Sequence, residues 1–156
     1  MKARALSPRV WASGFEWRVL VGGSNPTAQI AQLQAQAENA DVVIEAARPD
    51  FRQMLYHAAA SVSMCGYNTA LDLMQAGTKS LLIPFDEGGE VEQTLRAQSL
   101  SHMHGMRMCS AAELTPERLL CEVTDLVNVP QKPPAEIHFD GAAEAVRITT
   151  RMVEAR

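Results

Sequence analysis

The stretch Ala60-Ser61-Val62-Ser63-Met64-Cys65-Gly66-Tyr67-Asn68-Thr69-Ala70-Leu71-Asp72 decides the fold. Residues 60–64 read as a short buried strand, and Cys65-Gly66 as the turn that ends it. From about Asn68 the composition turns to good helix formers, and Gly77 closes the helix over 68–76. A strand feeding a helix through a glycine turn is half of a βαβ unit.

Working outward, the same alternation recurs. Upstream, residues 17–21 form an apolar run that stops at Gly22-Gly23, and residues 28–39, rich in Ala and Gln, follow as a helix. Residues 41–46 read as a second strand, and Asp50 stands where it would cap a helix over 51–59. Downstream, residues 80–85 read as a fourth strand stopped by Pro84 and a Gly88-Gly89 loop. A helix from Val91 to the stop at Gly105 and a weak fifth strand over 106–109 come next. Thr115 and Pro116 are an N-cap and a first helical residue. Three prolines near 130–134 predict an extended crossing segment over 127–139, and Asp140-Gly141 opens a last helix.

Strands alternating with helices predict an α/β, Rossmann-like parallel sheet with helices on both faces. Ligands of such sheets bind beyond the carboxyl ends of the strands. Three of those ends carry glycine or small polar residues: Gly22-Gly23-Ser24-Asn25, Cys65 through Thr69, and Phe85 through Gln93.

The chain has 156 residues, 47% hydrophobic and 21% charged, which is enough for one domain with a core of its own. Its net charge of -4 and lack of a basic stripe argue against a nucleic-acid partner. No apolar run approaches the roughly 18 to 20 residues needed to span a bilayer, and the first fifteen residues lack the apolar stretch of a secretory signal. Cys65, Cys109 and Cys121 have no metal-ligand spacing and suit a reducing cytoplasm.

Two constellations carry chemistry. A helix start has unpaired N–H groups and a partial positive charge, so Gly66, Asn68 and Thr69 could receive a phosphate, with Asp72 one turn on to accept ribose hydroxyls. The plain alternative is that Asn68 and Thr69 cap a helix and Asp72 is a solvated acid. Glu92 and Gln93, at a later helix start, suit sugar hydroxyls, which both donate and accept. The alternative there is an acid favoured by the helix dipole and paired with Arg96. Gly22-Gly23 is a weaker signal, and the dinucleotide pattern G-x-G-x-x-G is absent. His57, His102, His104 and His138 read as surface or packing residues. There is no nucleophile elbow and no P-loop.

Taken together, Arg48-Pro49-Asp50-Phe51, Leu55, Ala58, Ser61 through Ala70, Leu81-Leu82-Ile83-Pro84, Glu92-Gln93 and Arg96-Ala97 resemble a known family. It is the C-terminal, nucleotide-sugar-binding half of two-domain, B-type inverting glycosyltransferases, relatives of the bacterial enzyme that adds N-acetylglucosamine to lipid I. The likeness covers most of residues 17–150 and reaches Asp140-Gly141-Ala142-Ala143. It implies a UDP-sugar donor and hexosyl transfer to an acceptor hydroxyl, without metal or cofactor. It assigns the donor diphosphate to Gly66, Asn68 and Thr69, the ribose to Asp72, and the donor sugar to Glu92 and Gln93. Gly22, Gly23, Ser24, Arg48 and Phe51 are expected along the pocket wall. Asp72 departs from the Glu usual in the family, which shortens the arm by one methylene.

The resemblance also implies a strand that the count here does not supply. The family has about six parallel strands, five are readable, and the first, central one is the strand not found. Residues 1–16 read as a remnant of a preceding helix, and 17–156 as the donor-binding domain of a larger, cytoplasmic enzyme open to peripheral membrane association. The acceptor site and catalytic base are expected in an N-terminal domain, so no catalytic residue is assigned and this chain alone is expected to be inactive. Two rival readings are a non-catalytic nucleotide-sugar-binding module and a related UDP-sugar epimerase or hydrolase.

Overall fold

The structure, a computed structural model, describes residues 14, 16–37, 42–130 and 140–154. The expected helix remnant over 1–16 and most of the crossing segment over 127–139 lie outside the described residues. The elements run β1 (Trp17–Val21), α1 (Pro26–Gln36), β2 (Val42–Ala46), α2 (Phe51–His57), β3 (Ser61–Ser63), α3 (Tyr67–Ala76) and β4 (Ser80–Leu82). A 3-10 turn (Glu87–Gly89), α4 (Glu92–Leu100), β5 (Met106–Met108), α5 (Pro116–Asn128) and α6 (Gly141–Glu154) complete them. All strand pairs are parallel, as short strands joined by helices require.

The central strand shows why the chain folds this way. Ser80, Leu81 and Leu82 of β4 are all buried, the pattern of a parallel strand covered on both faces. Successive side chains point to opposite faces. Leu82 joins one core with Leu55, Cys65, Ala70, Leu73, Ala97 and Leu100, which seats α2, α3 and α4. Leu81 joins the other with Ile83, Cys109, Leu119, Val123 and Leu126, which seats α5. Each fully buried leucine stabilises the fold by roughly 1.5 to 3 kcal/mol. Pairing reaches just past β4: the Ile83 amide donates to the Ser63 carbonyl at 2.8 Å, and the Cys109 amide to the Leu82 carbonyl at 3.0 Å. Pro84, with no N–H, follows at once. The strand is therefore shorter than the apolar run over 80–85 predicts.

The expected single sheet is divided in two. One part has the order β1-β2 and the other β3-β4-β5. Among the described residues no strand pairs β1 with β3, so the interruption falls where the sequence supplies one strand too few. Trp17 still packs against the core under α5. Ser63 Oγ, on the strand bordering the interruption, is a buried side-chain oxygen without a partner among the described residues.

Helix ends follow local chemistry, with two corrections. Thr115 Oγ1 accepts from the Arg118 amide at 3.1 Å and Pro116 is the first residue of α5, as expected. Gly77 takes φ +65 at the end of α3, a left-handed cap. Asp50, by contrast, makes no side-chain cap to α2; its two oxygens instead accept from Arg48 at 2.8 and 2.7 Å. α4 ends at Leu100 rather than running to Gly105. Ser101 Oγ donates to the Gln98 carbonyl, the Met103 amide turns back to Leu100, and Gly105 itself sits at φ +77 against Lys79.

Candidate functional site

The start of α3 is an open helix N-terminus. Gly66 is its N-cap in extended geometry, and the first intrahelical bond runs from the Ala70 amide to the Gly66 carbonyl at 2.9 Å. The amides of Tyr67, Asn68 and Thr69 therefore have no partner within the helix. No acidic residue stands in the first turn to fill that positive end. Neither Asn68 nor Thr69 caps the helix: the cap is Gly66, and α3 has no side-chain cap bond. Among the described residues neither side chain makes a hydrogen bond, which removes the plainest alternative for them.

Gly66 is not required by its backbone. Its φ is −62, which any residue can adopt, and a Cβ there would meet nothing within 4 Å.

Arg96 of α4 holds this loop. Its Nη1 donates to the Cys65 carbonyl at 2.7 Å, and its guanidinium lies 5.7 Å from the centre of the Tyr67 ring. It places a positive charge beside the Gly66 turn, where an anion gains from it. Glu92 is only 3.8 Å from Arg96 but 80% exposed, so that pair adds little. Cys65 is fully buried, and burial pushes its thiol pKa up, with Arg96 pulling the other way. That is the setting of a packing residue and not of a nucleophile.

The remaining expected residues divide. Asp72 sits on α3 with its carboxylate partly covered, and Arg52 of α2 donates to it. Gln93 is half-buried and its Oε1 accepts from the Phe85 amide at 3.3 Å, which ties the start of α4 to the end of the β4 segment. Its amide nitrogen makes no hydrogen bond among the described residues. Gly22, Gly23 and Ser24 are exposed at the end of β1, with Gly23 at φ +110. Arg48 is bound to Asp50 and lies 3.5 Å from Glu45. The Arg18 guanidinium holds the Glu45 carboxyl below its ordinary value, and Arg48 does the same to Asp50. Phe51 packs against the core beside α3.

The Arg52–Asp72 pair was invisible in the sequence because its partners lie twenty positions apart across a strand. Arg96 was visible as part of the resemblance and as half of a pair with Glu92, whereas its shorter bond is to a main-chain carbonyl that no residue pattern reports.

The class that this architecture defines is the Rossmann-like α/β domain, with its polar residues at the carboxyl ends of parallel strands. The chain belongs to the glycosyltransferase family 28 C-terminal domain, which matches residues 11–150. Among curated relatives, the UDP-N-acetylglucosamine--N-acetylmuramyl-(pentapeptide) pyrophosphoryl-undecaprenol N-acetylglucosamine transferase of Rhizobium johnstonii is 25% identical over 109 residues, 68% of this chain and 29% of that protein. The protein of the same name from Solibacter usitatus is 37% identical over 73 residues, 46% of this chain and 20% of that protein. The crystal structure of Acinetobacter baumannii MurG superposes with a TM-score of 0.63 at 20% identity, over 81% of this chain and 38% of that one. That likeness is one of fold. The chain thus spans less than a third of the length of these two curated relatives. Among the described residues no helix is long and apolar enough to cross a membrane.

Proposed function

We propose that this chain is the donor-binding half of a UDP-sugar-dependent glycosyltransferase that moves a hexosyl group to an acceptor hydroxyl. The observation that carries the reading is the start of α3, where three amides without helical partners stand near the Arg96 guanidinium and the first turn holds no acid. Family membership supports it, as do relatives whose names specify a UDP-sugar donor.

In this reading the diphosphate lies against the amides of Tyr67, Asn68 and Thr69, and the ribose against Asp72. The sugar extends toward Glu92 and the Gln93 amide. The acceptor hydroxyl attacks the anomeric carbon, the bond to the diphosphate oxygen breaks, and negative charge grows on the leaving UDP. Fixed amide dipoles aimed at that charge lower the barrier without reorganising. The base that takes the acceptor proton belongs to a second half that binds the acceptor. Alone, a donor half cannot position two substrates, and positioning is a large share of such catalysis. The parent enzyme would work in the cytoplasm, with its acceptor drawing it to the membrane surface.

Calorimetric titration tests this. UDP should bind the chain with a micromolar-to-millimolar dissociation constant, roughly −8 to −4 kcal/mol, and the chain alone should transfer no sugar. Absence of UDP binding to the folded chain would refute the reading.

A further inference from the structure

We propose that Arg52 is a positioning residue for nucleotide recognition: it orients the Asp72 carboxylate so that one oxygen is presented to the ribose hydroxyls. This rests on the donor-binding reading above.

The geometry is one-sided. Arg52 Nε donates to Asp72 Oδ1 at 2.9 Å and Nη2 lies 2.8 Å from the same oxygen. Both contacts of the guanidinium fall on Oδ1, whereas Arg48 splits its contacts over both oxygens of Asp50. Oδ2 of Asp72 accepts no hydrogen bond among the described residues. A carboxylate has about four acceptor sites, so a carboxylate held by one oxygen keeps the other available in a fixed direction.

The pair is not needed to hold its helices together. Leu55 of α2 and Ala70 and Leu73 of α3 share a buried core, and the Thr78 hydroxyl donates to the Leu55 carbonyl at 2.7 Å in the interior. The Arg52 side chain is 61% exposed, and exposed ion pairs contribute little to stability. Nor does Asp50, two residues before it, compete for Arg52, since Arg48 occupies that carboxylate.

One physical effect makes the arrangement useful. Asp has one torsion fewer than Glu, so its carboxylate cannot swing far to meet a ligand, and orientation decides whether it reaches. Arg52 thus accounts for how the shorter acid at position 72 can serve.

The test uses UDP and 2′,3′-dideoxy-UDP titrated into the whole chain and into Arg52→Ala, Asp72→Ala and the double variant, with folding checked by thermal melts. Wild type should prefer UDP. Asp72→Ala should weaken UDP on the order of tenfold or more and leave the dideoxy nucleotide nearly unchanged, as loss of a charge-assisted bond to a hydroxyl requires. Arg52→Ala should weaken UDP by about 3- to 10-fold, the range of a single hydrogen bond, with little effect on the dideoxy nucleotide. In the Asp72→Ala background it should add nothing. Equal losses for both nucleotides, an added loss in the double variant, or unchanged UDP binding in Arg52→Ala would overturn the proposal while UDP binding by wild type keeps the donor reading. No UDP binding by wild type would overturn both.

Discussion

Replacing Arg96 with Met should loosen both the fold and the nucleotide site. Met keeps much of the apolar stem and removes the guanidinium. The side chain is 25% exposed, and the bond to the Cys65 carbonyl is short, at 2.7 Å, and charge-assisted. Such bonds contribute about 1.5 to 3 kcal/mol, and Cys65 is fully buried, so its carbonyl has poor access to water as a substitute. The Tyr67 contact adds about 0.5 kcal/mol, the low end for a ring that is largely exposed. The Glu92 pair adds close to nothing. The sum is on the order of 2 to 3.5 kcal/mol. For a domain of this size that lowers the melting temperature by about 4 to 14 °C. Circular dichroism melts of wild type and Arg96→Met give the difference directly. UDP affinity should fall as well, because the loop that presents the three amides loses its anchor and the anion loses a neighbouring charge. A change below about 0.5 kcal/mol, the size of an ordinary surface substitution, would refute the claim that Arg96 holds the Gly66 turn.

Two further outcomes follow from burial and charge. Cys121 is exposed while Cys65 and Cys109 are buried with thiols pushed up by burial, so a thiol reagent on the native chain should label Cys121 first and the other two only on unfolding; rapid labelling of Cys65 would contradict the core described here. Arg18 holds Glu45 below its ordinary value of 4.5, so the stability this pair contributes is present above about pH 4.5 and is lost as pH falls through the lower folded value. Arg18→Ala should therefore be less stable than wild type at pH 7 and low salt, and the gap should narrow as pH falls below about 4.5 or in about 1 M salt; a gap that does not narrow in acid would refute the assignment.

What the sequence disclosed was what is local. The βαβ alternation, the apolar run of β4, the Thr115 cap and the glycine turn into α3 are all set by neighbours in the chain. The shortfall of one strand came instead from the family resemblance, and among the described residues β1 and β3 do not pair. What it hid depends on partners far along the chain. Asp50 has the right chemistry for a cap, yet Arg48 takes its carboxylate. Arg52 and Asp72 meet only because α2 and α3 pack on one core. The end of α4 was misread because Gly105 marks a left-handed residue before β5, not the helix stop.

The central claim is that the start of α3 receives a nucleoside diphosphate. Amide resonances followed by two-dimensional NMR during a UDP titration test it most directly. The account predicts saturable changes largest at Gly66, Tyr67, Asn68 and Thr69, smaller ones at Asp72 and Gln93, and none along α5. No change up to millimolar UDP, or changes centred on any other part of the sheet, would contradict it.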